Sequence, residues 1–522
     1  MAYTLLRLNS ILFLIGMRTN SLAVSFGFLS LVSICGISVG ILLIISGIFD
    51  EENFVSGSST PNVEEMPRLF DKGLATSIVV EGLKRPTSMA FLGPDDFIVL
   101  EKKTGIVKRI VNGNILETPL LDVEVANEKE RGLLGVAISK SDDRTGENFQ
   151  NYDKDSRNSN TTYVFLYYTE SSGKDGNDDC PLINYCEEGT EPKGNRLYRY
   201  DLEENKLVNP KLLLDLPANP GSDHLGGALV IGPDGNVYLT TGDGHSCSYR
   251  SCDKGIQDTV LNSQSANIEN GEIPNGRGGI LRVTQDGQPV GEENEQGILD
   301  ENGILNKYYA YGIRNSYGID FDPLSGKLWD TENGPSFGDE INLVEPGFNS
   351  GWLKIQGIWP IYNHSLLLPQ GLIPPYRGYF ESNDSNFIIE KKADLKDLVD
   401  FQGQGKYSDP EFIWNMTVGV TAVKFFDSDK LGVKYKDDMF VADSNIGNLY
   451  HFDLNTDRTK LEFHGSISDT MMHSLEREEL ESILFGEGFG SVTDLEVGPD
   501  GYLYVVSYNE GKIFKLIPNG VL

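Results

Sequence analysis

Basic residues are scarce in this 522-residue chain: 44 Lys and Arg stand against 77 Asp and Glu, a net charge of −33. Such a surface repels nucleic acid and anionic membranes, and no basic patch interrupts it. Solubility or a salty habitat accounts for the excess acid. Cysteine is scarce too, with only five in the chain. Cys35 falls in an apolar run, and the others form two close pairs, Cys180 with Cys186 and Cys247 with Cys252. No CxxC or Cys/His spacing accompanies them, which favours short-loop disulfides in an oxidising compartment. A metal site built from all four is the alternative. Charge is missing altogether from Ser21 to Phe49, a mostly apolar stretch long enough to cross a bilayer.

Arg7 and Arg18 precede that stretch, while Asp50, Glu51 and Glu52 follow it. The positive-inside bias puts the N-terminus in the cytoplasm and the bulk of the chain outside. The apolar run is too long for a signal peptide and no Ala-x-Ala site follows, so a retained anchor is expected. Met17 is an alternative start. The expected organisation is a cytoplasmic N-terminus over 1–20, a transmembrane helix over 21–49, and a flexible stalk over 50–72. One large domain then occupies 73–522, with insertions at about 141–180 and 355–405. The whole is a single-pass cell-membrane protein with its domain on the extracytoplasmic side. Sequons at Asn160, Asn363, Asn383 and Asn415 permit glycosylation.

What the chain has in quantity is glycine and aromatics, with Gly 57, Tyr 23 and Phe 25. With many Pro-Asp and Asn-Gly turns, these favour strands. A pattern of strand, turn, strand, short turn, strand recurs six times, starting near Thr87, Gly132, Ala228, Tyr317, Val420 and Asp494. Radial repetition of this kind predicts an all-β six-bladed β-propeller. The acidic, Asn-rich insertion does not match the spacing of an EF-hand loop.

The third copy holds the main chemical signal. Alternating apolar residues flank the turn Gly232-Pro233-Asp234-Gly235, with His224 just before the first strand and Asp243 just after the second. An antiparallel hairpin brings those ends together, so the carboxylate can orient the imidazole as a general base. A loop histidine beside a turn-capping aspartate is the bland alternative. The same position in each copy gives Arg85, Glu130-Arg131, Asp223-His224, Arg314-Asn315, Thr417 and Ser491 to Thr493. In a propeller these converge on one mouth of the axial channel, the default place for a ligand.

Glu130-Arg131-Gly132-Leu133-Leu134-Gly135, the His224–Asp243 hairpin, Tyr311 to Gly318, and Glu332-Asn333-Gly334-Pro335 with Gly338 to Asn342 resemble the glucose/sorbosone dehydrogenases. The resemblance runs from about Leu83 to Pro518. It implies hydride transfer from a sugar to pyrroloquinoline quinone (PQQ), with calcium, electrons leaving to an unidentified acceptor. His224 would be the base, Asp243 its orienter, and Arg314 and Asn315 contacts to the quinone oxygens. Gly334 and Pro335 would hold the calcium on the cofactor, with Asp339 and Glu340 in the same loop for a structural calcium. Trp414 and Thr417 would touch the cofactor, while Glu130, Arg131 and Asp223 would meet the substrate. Ser491, Thr493 and Asn445 stand where related enzymes carry basic partners for the cofactor carboxylates, leaving Lys102, Arg131 and Arg277 as substitutes. A non-catalytic cell-surface binding propeller and a calcium-dependent propeller hydrolase of the lactonase type are the alternative functions.

Overall fold

The structure is a computed structural model. It describes residues 66–140, 161–171, 191–219, 221–244, 266–267, 274–290, 299, 303–335, 338–352, 354–358, 395–465, 467, 470–472 and 477–520. The apolar span at 21–49, the cysteines and three of the four sequons lie outside them. Among the described residues no helix is long and apolar enough to cross a membrane.

The described chain forms an all-β propeller built from six sheets. Their innermost strands are Pro86–Gly93, Leu133–Lys140, Leu229–Ile231, Ser316–Phe321, Val420–Phe426 and Val492–Val497. Each packs against the next, and the last returns to the first, which closes a ring. In the first, third and sixth sheets the first two strands are antiparallel neighbours joined by a short turn. In the third sheet the amide of Gly235 bonds the Gly232 carbonyl at 2.8 Å, and Asp234 accepts from Asn236 N and the Tyr238 hydroxyl. The sixth sheet repeats this device at Gly498–Gly501 with Asp500 and Tyr504. The turn chemistry read from sequence is therefore what folds these hairpins.

Apolar clusters fill the wedges between neighbouring sheets. Leu134, Phe165, Leu239 and Leu281 pack between the second and third; Trp329, Phe425, Trp414 and Phe452 pack between the fourth and fifth. Trp329 and Trp414 are fully buried, and truncating a residue of this kind typically destabilises by about 3–5 kcal/mol.

Two expectations need correction. Residues 66–72, placed in the stalk, belong to the folded unit. Arg68–Leu69 pairs with Glu487 and Gly486 at the edge of the fifth sheet, and Asp71 takes a salt bridge from Lys434 at 2.7 Å. The sixth sheet also gains an outer strand, Leu74–Val80, from the start of the domain. It sews the two ends of the ring together, a long-range pairing that local periodicity does not announce. The remaining sequon residue, Asn415, is 6% exposed, so its side chain offers little access for glycosylation.

Candidate active site

The ends of the inner strands surround a cavity of about 540 Å³ on the propeller axis. Glu130, His224, Arg314, Asn315, Thr417, Ser491 and Thr493 all line it, as the inner-strand argument predicts.

His224 Nδ1 lies 2.7 Å from Asp243 Oδ1. The other Asp243 oxygen accepts the indole N–H of Trp352 at 2.7 Å, so this fully buried carboxylate is an acceptor on both sides. An acceptor at Nδ1 fixes the tautomer with the proton there and leaves Nε2 as the basic nitrogen. The histidine backbone is in the left-handed region, with φ +57°. Such a conformation stores roughly 1–3 kcal/mol and persists only where neighbours impose it. Here Glu130 accepts the His224 amide at 2.7 Å, and the amide of Gly244 donates to the His224 carbonyl at 3.1 Å. Gly242 allows this closeness, since a Cβ there would collide with the His224 carbonyl. Glu130 also accepts from Tyr317 at 2.9 Å. Burial, then Glu130, pushes that phenol well above its ordinary range, so it stays a donor.

On the adjoining wall, the amide of Arg314 donates to Glu332 Oε1 at 2.6 Å, and its guanidinium to the Asn333 carbonyl at 2.8 Å. Its Nε is buried without a hydrogen-bond partner, and the guanidinium carbon sits 5.5 Å from the Trp352 ring centre. Asn315 Oδ1 accepts the Gly226 amide at 3.1 Å. An unsatisfied buried guanidinium N–H suits an anionic or carbonyl oxygen.

Other expected site residues do not reach the cavity. Arg131 reaches away from it to the carbonyls of Ala218 and Gly221, holding that loop. Arg277 likewise bonds the Pro217 carbonyl. Asp223 is paired with Lys129 at 2.7 Å. Trp414 is a core residue, packed edge-on to Phe412 with centroids 4.8 Å apart, because its strand Phe412–Trp414 lies on the outer side of the fourth sheet. Thr417, only three residues on, does line the cavity.

Asp339 and Glu340 start a strand, Asp339–Val344, rather than sitting in a loop. Asp339 accepts the amide of Gly334 at 2.8 Å and those of Val418 and Gly419 at 2.8 and 2.7 Å. It staples the Gly334 turn to the next inner strand, and its oxygens are occupied by backbone donors. Glu340 points the other way, to Gly357 N at 2.6 Å and Gln356 at 2.7 Å. It shares Ser350 with Glu332, and burial raises all the acids there, with Asp330 at about 7 and Glu340 at about 8. Gly334 lines the cavity, whereas Pro335 is not among its lining residues.

On the far side, Asn445, Ser491 and Thr493 line the cavity as neutral groups. Lys102 is the one proposed substitute that lines it; its Nζ donates to the Lys129 carbonyl at 2.5 Å, and burial brings its pKa down to about 8 despite Glu130. Lys424, Tyr317 and Trp352 are functional neighbours that sequence reasoning missed. Lys424 is paired with Asp320 at 3.4 Å and Glu496 at 3.0 Å. Burial works against its charge, yet those acids hold it above the usual range. The position of Lys424 within the inner strand Val420–Phe426 was the available signal; Trp352 joins Asp243 from 109 positions away, with no local signal.

Comparison with known proteins follows this geometry. Over 295 residues the chain is 28% identical to quinoprotein glucose dehydrogenase B of Acinetobacter calcoaceticus, covering 55% of this chain and 53% of that protein. The chain thus spans about half the length of that relative. It is 22% identical to an aldose sugar dehydrogenase of Escherichia coli, over 64% of this chain and 72% of that one. The crystal structure of the soluble aldose sugar dehydrogenase from Escherichia coli superposes with a TM-score of 0.55 at 21% identity, covering 85% of this chain and all of that one. This likeness establishes the shared fold. The Glucose / Sorbosone dehydrogenase family model matches residues 83–359, more than half of the sequence and the segment that holds His224, Asp243, Arg314 and Asn315. The chain belongs to the glucose/sorbosone dehydrogenase family.

Proposed function

We propose that this protein is a PQQ- and calcium-dependent aldose dehydrogenase on a six-bladed propeller, anchored in the cell membrane with the propeller outside. The observation that carries the reading is the 2.7 Å contact between His224 and a fully buried Asp243 at the wall of an axial cavity. The relatives named for glucose and aldose oxidation, one of them a quinoprotein, support the substrate class and the cofactor. The N-terminal charge asymmetry supports the anchor and its orientation.

The residues fit such a cofactor at its quinone end, where Arg314 and Asn315 line the cavity. Bound PQQ would supply a carbonyl centre that accepts hydride from the anomeric carbon of the sugar. His224 Nε2 takes the proton of the anomeric hydroxyl as that C–H bond breaks. Asp243 stabilises the imidazolium that forms and keeps the ring from turning. Arg314 meets the negative charge that develops on the acceptor side. A hydride from carbon and a proton from the hydroxyl, two electrons and two protons in all, thus leave the sugar, and the electrons pass on to an external acceptor. The Gly334 carbonyl would serve the catalytic calcium. Hydrogen-bond donors already meet the carboxylate oxygens of Asp339, Glu340 and Glu332 alike.

The neutral Asn445, Ser491 and Thr493 favour a second reading, a propeller that binds some other ligand and transfers no hydride. Calorimetric titration with PQQ in calcium, followed by dye-linked sugar oxidation, separates the two. Saturable binding with turnover lost in His224→Ala supports the dehydrogenase. No binding at high micromolar PQQ leaves the second reading.

A further inference from the structure

One of the chain's six histidines, His451, meets two aspartates far from the cavity. Strand Asp438–Asp443 ends beside Ser444 and Asn445 at the cavity, so Asp438 marks its remote end. Its neighbour is strand Leu449–Leu454, paired Met439 with Phe452 and Phe440 with His451. One step further along this register sets Asp438 opposite Asp453. On the other side, Leu461–Glu462 pairs with Leu454 and Asp453, and two residues beyond Glu462 comes His464. Three consecutive strands therefore contribute an aspartate, a His-x-Asp pair and a histidine to one end of the fifth sheet.

The ligand atoms of Asp438, His451 and Asp453 converge within 4.8 Å of one another. His451 Nε2 lies 2.9 Å from Asp438 Oδ2 and 3.7 Å from Asp453 Oδ1, while His464 Nε2 lies 3.2 Å from Asp453 Oδ2. We propose that Asp438, His451 and Asp453 form a three-ligand site for a divalent transition metal, zinc by preference, with the fourth position open to solvent and His464 supporting Asp453 from outside the donor set.

Three observations carry this. Ligand bonds of about 2.0–2.1 Å in a tetrahedral zinc site place neighbouring donor atoms roughly 3.3 Å apart, and the His451 distances of 2.9 and 3.7 Å to the two aspartates bracket that spacing. Like charges directly opposite on adjacent strands destabilise a sheet, and among the described residues these two carboxylates are ion-paired only to the histidines. A single N–H on His451 Nε2 cannot satisfy both carboxylates, whereas one dication can. The His451 ring is also held by edge contacts to Tyr435 and Phe440, with centroids 5.1 and 5.2 Å away, the kind of apolar shell that fixes a ligating imidazole. The His464 side chain is 70% exposed, which gives an ion its way in. An imidazole with two carboxylates suits zinc or another borderline ion better than calcium, which takes oxygen donors only.

The test is Co²⁺ titration of the untagged, EDTA-dialysed protein, read by its visible spectrum and by displacement with Zn²⁺. One equivalent with the intense absorption of a four-coordinate ion is expected. Losing a ligand should weaken binding at least as much as losing an outer-shell partner, roughly 10–100-fold, in both Asp438→Asn and Asp453→Asn. Thermal melts of the two variants without metal confirm that each is folded. Absence of binding, a six-coordinate spectrum, or affinity unchanged in the folded variants overturns the proposal.

Discussion

The two walls of the axial cavity differ in how their polar groups are held. On the wall from the second to the fourth sheets, each functional group has a designated partner. Glu130 fixes the strained His224 backbone, Asp243 fixes its ring, Trp352 fixes Asp243, and Glu332 fixes Arg314. On the wall from the fifth and sixth sheets, Asn445, Ser491 and Thr493 offer neutral groups at the rim, and Lys424 is already paired with Asp320 and Glu496. Beside them, burial and then Glu496 lift Asp494 to about 8. The first wall is preorganised for proton transfer. In the proposed reading the second wall would meet the carboxylates of the cofactor.

Four experiments break or sharpen this contrast. The largest effect is expected from His224→Ala, which removes the base and should lower kcat by about 10²–10⁴ while leaving PQQ affinity nearly unchanged. Equal loss of affinity would show that the first wall binds rather than reacts. Thr493→Arg on the second wall should tighten PQQ roughly 10–100-fold, the value of one charge-assisted hydrogen bond, as read by calorimetry. Unchanged affinity would mean that the ligand's carboxylates lie elsewhere. Trp352→Phe leaves one buried oxygen of Asp243 without its donor and should lower kcat about tenfold.

The smallest effect concerns Lys102, whose pKa falls to about 8 in the folded chain from an ordinary 10.5. The unfolded chain takes this proton first as pH falls. Folding therefore loses stability from pH 10.5 down to about 8 and no more from this group below that. Ligand binding runs with the charge. PQQ affinity should fall roughly fivefold as pH rises through about 8, and Lys102→Gln should flatten that profile. A profile unchanged by the substitution would remove Lys102 from the second wall.

Much of the first wall was legible in sequence. The Pro-Asp-Gly turn defines the hairpin, and a hairpin with ends at residues 224 and 243 brings its imidazole and carboxylate within reach. The residues before each inner strand reach the cavity in five of the six copies. Sequence failed where a single backbone step decides the direction of a side chain. Glu130 and His224 face the axis, while their neighbours Arg131 and Asp223 turn outward to a loop and to Lys129. It failed again at Trp414, where a short cofactor-like segment is in fact an outer core strand, and at Asp339, whose oxygens are filled by backbone amides.

By itself the sequence determined the strands, their turns, the six-fold recurrence and the acidic charge, because alternation and turn chemistry act over a few residues. Only the tertiary structure decided how the ring closes, with Leu74–Val80 completing the last sheet. It alone brought Trp352 to Asp243, and His451 to Asp438 of the neighbouring strand. Those contacts depend on how whole strands pair and pack, and no local pattern records which distant residue a side chain will meet.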